Sequence, residues 1–118
     1  MQYMILALEG PADFERRSGE GANEYWSAWS GYIQALTESG ILSSAGGLQA
    51  PGSATTLRLR DGQRLLQDGP FADTKEQLGG YFVIDVADLD VALAWAQRCP
   101  SAADGAVEVR PLLPPMAG

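Results

Sequence analysis

Asp68-Gly69-Pro70-Phe71-Ala72-Asp73-Thr74-Lys75-Glu76-Gln77-Leu78-Gly79-Gly80-Tyr81 leads directly into the strand-like run Tyr81-Phe82-Val83-Ile84-Asp85-Val86. Gly69-Pro70 bends the chain, because glycine accepts backbone angles closed to other residues while proline fixes φ and donates no hydrogen bond. The spacing places Asp73 or Thr74 as the cap of a short helical turn, with Gln77 set to reach back to Thr74. Gly79-Gly80 then ends that turn and permits close backbone approach ahead of the strand. Such a turn gathers Asp68, Lys75 and Glu76 at a strand edge, where binding groups are commonly placed.

Working outward, Thr55, Leu57 and Leu59 alternate with Thr56, Arg58 and Arg60 from about Ala54, one face apolar and the other polar. Asp61-Gly62 is a hairpin turn that returns the chain through Gln63 to Gln67. After Val86, Asp88 caps a helix whose stripe is Leu89, Ala92, Leu93, Trp95 and Ala96, ended by Pro100. A last strand runs from Ala106 to Leu112, and Pro114-Pro115 with the remaining tail read as frayed.

At the other end, Gln2 to Leu8 reads as a strand with Tyr3, Ile5 and Ala7 on one face and Met4, Leu6 and Leu8 on the other. Both faces are apolar, so both need cover, and two helices in a small domain cover only one. A partner subunit is the simplest cover for the second. Gly10-Pro11 breaks the strand, and the polar segment through Gly21 reads as a loop able to border a pocket. Asn23 is placed as the cap of a helix to about Ser39, with Tyr25, Trp29, Ile33 and Leu36 at helical spacing, Trp26 and Tyr32 broadening the stripe, and Gly40 as the stop. These aromatics read as core or interface rather than a ligand cage. Ile41-Leu42 leads into residues 43–53, a glycine- and proline-containing stretch with room for a short irregular strand before it turns. The order of strand, helix, strand pair, strand, helix, strand predicts an α+β, ferredoxin-like sandwich with an added β-hairpin.

The 118 residues fit one domain spanning 1–118. A formal net charge of −7 disfavours a nucleic-acid partner, which needs a basic patch. No apolar run reaches the roughly 20 residues that cross a bilayer, and no signal core opens the chain, so the expectation is a cytoplasmic protein without a membrane partner. One cysteine, Cys99, excludes an internal disulfide, and the absence of histidine removes the commonest metal ligand and neutral-pH base. Cys99, at a helix end before Pro100, reads as buried and structural. No phosphate loop, zinc spacing or nucleophile elbow occurs, and neither a cofactor nor a metal is implied.

The run DGPFADTKEQLGGYFVIDV, with DLDVALAWAQRCP and GAVEVRPL after it, closely resembles the DGPF branch of the YCII-related family. Tyr3-Met4-Ile5-Leu6, Gly40-Ile41-Leu42 and Gly47-Leu48-Gln49 extend the likeness from about Tyr3 to Pro111. The resemblance implies the same ferredoxin-like fold, with two sheets packed face to face into a dimeric α/β barrel. In related proteins an aspartate beside the Gly-Pro turn is thought to pair with a histidine at the active site. Asp68 matches that aspartate, and the histidine has no counterpart here.

Asp68 is therefore the single candidate for catalysis, as a base if burial raised its pKa; the structural alternative is that it accepts backbone hydrogen bonds in the turn. With Phe82, Ile84 and Val86 toward the helices, Tyr81 falls on the opposite face, joined by Glu108 and Arg110 of the last strand and by Arg58 of the hairpin. Charges of both signs there line a polar pocket, form an ion-pair network across a dimer, or make a solvated face. Lys75, Glu76, Tyr81, Arg58, Glu108 and Arg110 are the candidate ligand-binding residues. Two functions stand: a homodimeric module binding a small polar or anionic metabolite, in a regulatory role, and an enzyme using Asp68 in acid–base chemistry.

Overall fold

The computed structural model describes residues 1–115. Strand β1 (Gln2–Glu9) is followed by the short helix α1 (Pro11–Glu15), the long helix α2 (Ala22–Glu38) and β2 (Leu42–Gly47). A 3₁₀ turn (Pro51–Ser53) leads to β3 (Thr55–Arg60) and β4 (Gln63–Asp68), then β5 (Gln77–Asp85), α3 (Leu89–Gln97), α4 (Ser101–Asp104) and β6 (Ala106–Pro111). Four strands form one antiparallel sheet in the order β2-β5-β1-β6, while β3 and β4 pair only with each other. This is the mixed α+β, ferredoxin-like arrangement, with the hairpin inserted between its second and third strands; the sheet is open.

The parity of β1 decides the layering. Tyr3, Ile5 and Ala7 are buried beneath α2 and α3, whereas Met4, Leu6 and Leu8 on the other face are only half-buried. Above the sheet, α2 contributes Tyr25, Trp29, Tyr32 and Leu36, and α3 contributes Ala92 and Ala96. Phe82 joins the layers: Trp29 stacks on it with centroids 6.1 Å apart and 10° between planes, and Tyr32 meets it edge-on at 5.2 Å. Val107 and Val109 close the core from β6. The molecule is a slab of 50 × 47 × 18 Å, the thickness of one helix layer on one sheet; among the described residues no helix lies over the second sheet face, on which Val83, opposite Met4, is nonetheless buried.

Several local expectations change. The segment after Gly10 is not all loop: Pro11 opens α1, and the Asp13 carboxylate accepts from the Gly10 N–H at 3.4 Å. Helix α2 begins at Ala22 after Gly21, not at an Asn23 cap, and Ile33 and Trp26 lie toward solvent, 40% and 46% exposed. No helical turn forms at Asp73-Thr74. Gln77 does reach back, its amide donating to the Ala72 and Thr74 carbonyls at 2.8 and 3.0 Å, but it is also the first residue of β5. Gly79 and Gly80 therefore lie inside the strand. Ala7 pairs with Gly80 and Leu8 with Leu78, leaving Gly79 as a bulge.

Other features fall as read. The turn at Asp61 (φ 51°) and Gly62 (φ 76°) joins the hairpin, and Asp88 caps α3 by accepting from the Val91 N–H at 3.0 Å. The α3 stripe departs from the reading: Leu89 and Leu93, expected to be buried, are exposed, because Ala92 and Ala96 make the buried contact. Cys99 is buried against the Ser101 hydroxyl at 3.4 Å, and burial pushes its thiol pKa up. Of the tail expected to fray, residues 116–118 lie outside the described residues.

Ile84 is fully buried at the centre of the core. Ile84→Ala is expected to cost about 2–5 kcal/mol in urea-induced unfolding. A cost below about 1 kcal/mol would place the core elsewhere.

Candidate functional site

Glu9 continues the inward parity of Tyr3, Ile5 and Ala7 and is 2% exposed. A carboxylate cannot sit there without charge-assisted partners. It has two: the Tyr25 hydroxyl donates to Oε2 at 2.6 Å, and Arg17 Nη2 meets Oε1 at 3.2 Å. Arg17 Nε also donates to the Tyr25 oxygen at 3.0 Å, closing a three-membered ring of contacts. The same guanidinium donates to the Gly79 carbonyl at 3.1 Å and to the Leu48 carbonyl, and it lies 4.8 Å from the Phe14 ring centroid. One arginine thus ties the α1–α2 connection to β1, to β5, to α2 and to the chain after β2.

The Gly79 bulge makes room for this. A Cβ at that position would collide with Glu9 Oε1 and approach Arg17 Nη2 to 3.0 Å. A second glycine has a similar reason: a Cβ on Gly46 would stand 2.7 Å from the Tyr81 ring, which packs across β2.

Beside the trio opens a cavity of about 540 Å³ between α2 and the β2–β5 edge of the sheet. Trp26, Trp29, Ile33 and Phe82 wall it, the glycine backbones of residues 46, 47, 79 and 80 form its sheet side, and Glu9, Arg17 and Tyr25 close its inner end. A smaller cavity of about 330 Å³ shares Glu9, Tyr25 and Trp29 and is lined beyond them by Asp13, Arg16, Arg98 and Asp104 along with Ala28 and Pro100. Glu9, Tyr25 and Trp29 are the partition between the two.

Burial, and then the hydrogen bond to Glu9, push the Tyr25 hydroxyl from 10.0 up to about 12. Chemically the site offers an aromatic cleft, open to solvent past Trp26 and Ile33 and ending in paired charges: Glu9 and Arg17 neutralise each other, and the tyrosine keeps its proton. Among the described residues no group of three or more His, Cys, Asp or Glu side chains could hold a metal ion.

The residues singled out from the sequence lie elsewhere. Asp68 is the exposed last residue of β4 and does not line the large cavity. Lys75 is exposed and borders a cleft of about 380 Å³ formed with Phe14, Pro70, Asp73 and Thr74. Glu76 is half-buried, and its carbonyl accepts from the Thr74 hydroxyl at 2.7 Å. Glu108 and Arg110 pair with each other at 2.6 Å on the open sheet face. Arg58 does not join them: it donates to Gln67 at 3.3 Å and covers the Phe71 ring at 5.4 Å, both within the hairpin region. Tyr81 lies over Gly46. Sequence reasoning missed Glu9 and Arg17, and read Tyr25 and Trp29 as core; the signal available was an acidic residue in the inward register of an apolar strand.

A profile of the YCII-related domain matches residues 1–115. The chain belongs to the YCII-related family. The uncharacterized protein R00369 of Rhizobium meliloti (strain 1021) is 46% identical over 114 residues, covering 95% of this chain and 92% of that protein. Among solved structures, 5-chloro-2-hydroxyhydroquinone dehydrochlorinase (TftG) from Burkholderia phenoliruptrix AC1100, in complex with 2,5-dihydroxybenzoquinone, superposes with a TM-score of 0.54 over 96% of this chain and 94% of that one. At 16% identity, that likeness shows the fold alone. Among the described residues, no helix of this YCII-related chain is long and apolar enough to cross a membrane.

Because Tyr25 is more easily kept neutral in the fold than in the unfolded chain, its contribution to stability is complete below about pH 10 and is lost as pH rises toward 12. Thermal denaturation is expected to show a plateau followed by a fall across that window, with a shallower fall in Tyr25→Phe; equal slopes would remove Tyr25 from the network. Gly79→Ala is expected to cost more than about 2 kcal/mol, since the new methyl displaces Glu9 from its partners.

Proposed function

We propose that this protein is a homodimeric small-molecule-binding module whose ligand is a compact, uncharged, largely apolar molecule with a hydrogen-bonding edge. The observation that carries this is the aromatic cavity of about 540 Å³ ending on the buried Glu9–Arg17–Tyr25 trio. The volume lies within the range of small-ligand sites, roughly 300–1,000 Å³, and the walls are of the kind such sites use. Because the two charges at its end are spent on each other, a charged ligand meets no free counter-charge, whereas a carbonyl or hydroxyl edge meets polar atoms already held in place. TftG, which has the same fold, is crystallised with a small hydroxylated ring compound, and this supports a ring-sized ligand.

The dimer is supported by the slab shape and by the half-buried Met4, Leu6 and Leu8 on the face without helices. Two such sheets packed together give the barrel that the family resemblance implies.

Trp26 and Trp29 in the cavity wall report directly on occupancy. Titrating neutral substituted phenols and hydroxyquinones is expected to give saturable tryptophan quenching, weakened about tenfold or more in Trp29→Ala and in Ile33→Glu, whose side chain borders the cavity without entering the core. Asp68→Ala is expected to bind as the wild type does. Affinity lost in Asp68→Ala but kept in both cavity variants would overturn the reading in favour of the turn, and no saturable quenching by any of these compounds would overturn the ligand class.

A further inference from the structure

We infer that the ligand of the aromatic cavity is a planar ring lying on bare backbone, with Gly47 as the residue that sets its size, an inference that rests on the site proposed above.

Strand register decides which residues stand under α2. Ala45 pairs with Phe82, and Gly47 with Gly80, which in turn pairs with Ala7. Directly paired residues of antiparallel strands share one face, and Phe82 and Ala7 are buried on the helix side. Ala45, Gly80 and Gly47 therefore face the helices too. The row Ile5–Phe82–Ala45 carries a phenyl ring into the core, whereas the next row, Ala7–Gly80–Gly47, carries a single methyl. Helix α2 does not fill that deficit: Trp26, Trp29 and Ile33 stand across it as the opposite wall of the cavity.

The two glycines of the row are there for different reasons. At Gly80 a Cβ would stand 3.1 Å from the Gly46 carbonyl oxygen and 3.7 Å from the Gly47 Cα, so the packing of β2 on β5 keeps this position small. At Gly47 a Cβ would meet nothing within 4 Å, and φ lies outside the left-handed region. Neither strain nor crowding calls for glycine there, and glycine inside a strand costs roughly 0.5–1 kcal/mol relative to alanine. What the missing side chain leaves is clear floor in the cavity, the arrangement by which a backbone admits close approach of a ligand.

Shape then selects the ligand. On one side lies a stretch of sheet stripped of side chains, and on the other the indoles of Trp26 and Trp29, with the Phe82 ring stacked on Trp29 at the margin. A planar ring meets peptide groups and indole over its whole face, whereas a puckered ring of the same skeleton touches them through its axial hydrogens.

Isothermal titration of p-cresol and of its ring-saturated alcohol into wild type, Gly47→Ala and Gly47→Val tests this, with thermal melting of each variant alongside. Wild type is expected to bind p-cresol at least about tenfold more tightly than the saturated alcohol. Gly47→Val is expected to melt no lower than wild type, since valine suits a strand, while its p-cresol affinity falls at least about tenfold and that of Gly47→Ala falls less. Affinity kept in Gly47→Val but lost in Ile33→Glu overturns the role of Gly47 and leaves the cavity as the site; affinity kept in both overturns the site as well. Equal wild-type affinity for the two compounds overturns the planar class, and a lower melting temperature in Gly47→Val overturns the reading of Gly47 as free of structural duty. Absence of p-cresol binding to wild type overturns the site and this inference with it.

Discussion

A single buried carboxylate dictates much of this structure. Glu9 is placed by strand parity where an apolar side chain would serve the core, and the charge it brings has to be matched in place. Meeting that demand recruits Arg17 from a polar connection and Tyr25 from the first long helix, and requires a glycine bulge on the neighbouring strand. The cost of the buried ion is offset by interactions that also tie the α1–α2 connection to β1, β5, α2 and the chain after β2. The cavity is the space left when those segments are held at this spacing instead of collapsing on one another.

Fold and site were unequally legible in the sequence. Alternation in β1 and β6, the Asp61-Gly62 turn, the Asp88 cap and the stop at Gly40 are local signals set by backbone chemistry, and each recurs in the structure. The order of elements points to the ferredoxin-like arrangement together with the family resemblance, although the edge strand β2 (Leu42–Gly47) has no alternation that marks it as the sheet's fourth strand. The site was hidden for a different reason: Glu9, Arg17 and Tyr25 fall in three different elements within seventeen residues, and only the antiparallel pairing of β1 with β5 brings the strand end to the distant Gly79 bulge. Ending the first strand at Leu8 removed Glu9 from the inward register that would have exposed the anomaly. The double glycine was noticed, yet its spacing after Gly69-Pro70 suggested a helix end, when its purpose is to clear space for a side chain on another strand.

The same molecule leaves two surfaces unsatisfied. One sheet face lacks a helix layer, and the hairpin carries leucines into solvent from a rigid root. Net stability of a small domain is a narrow margin between large terms, so apolar area on this scale is a strong inducement to association. Pairing would leave the aromatic chamber on the helix side of each sheet, with its own entrance, so that assembly and ligand binding draw on opposite faces of one layer. The fold is shared with a structure of 16% identity, and the chamber combines the trio and the aromatic side chains of α2 with the glycine backbones of β2 and β5.

The claim that Glu9 and Arg17 act as one unit is open to a double-mutant cycle on the free energy of unfolding, using Glu9→Leu, Arg17→Met and the double variant. Each single change strands a charge and is expected to cost about 3–5 kcal/mol, while the double variant costs well below their sum, a coupling of at least about 2 kcal/mol. Additive losses, with coupling inside about 0.5 kcal/mol, would show that the two side chains merely lie near each other, and the account built on them would not stand.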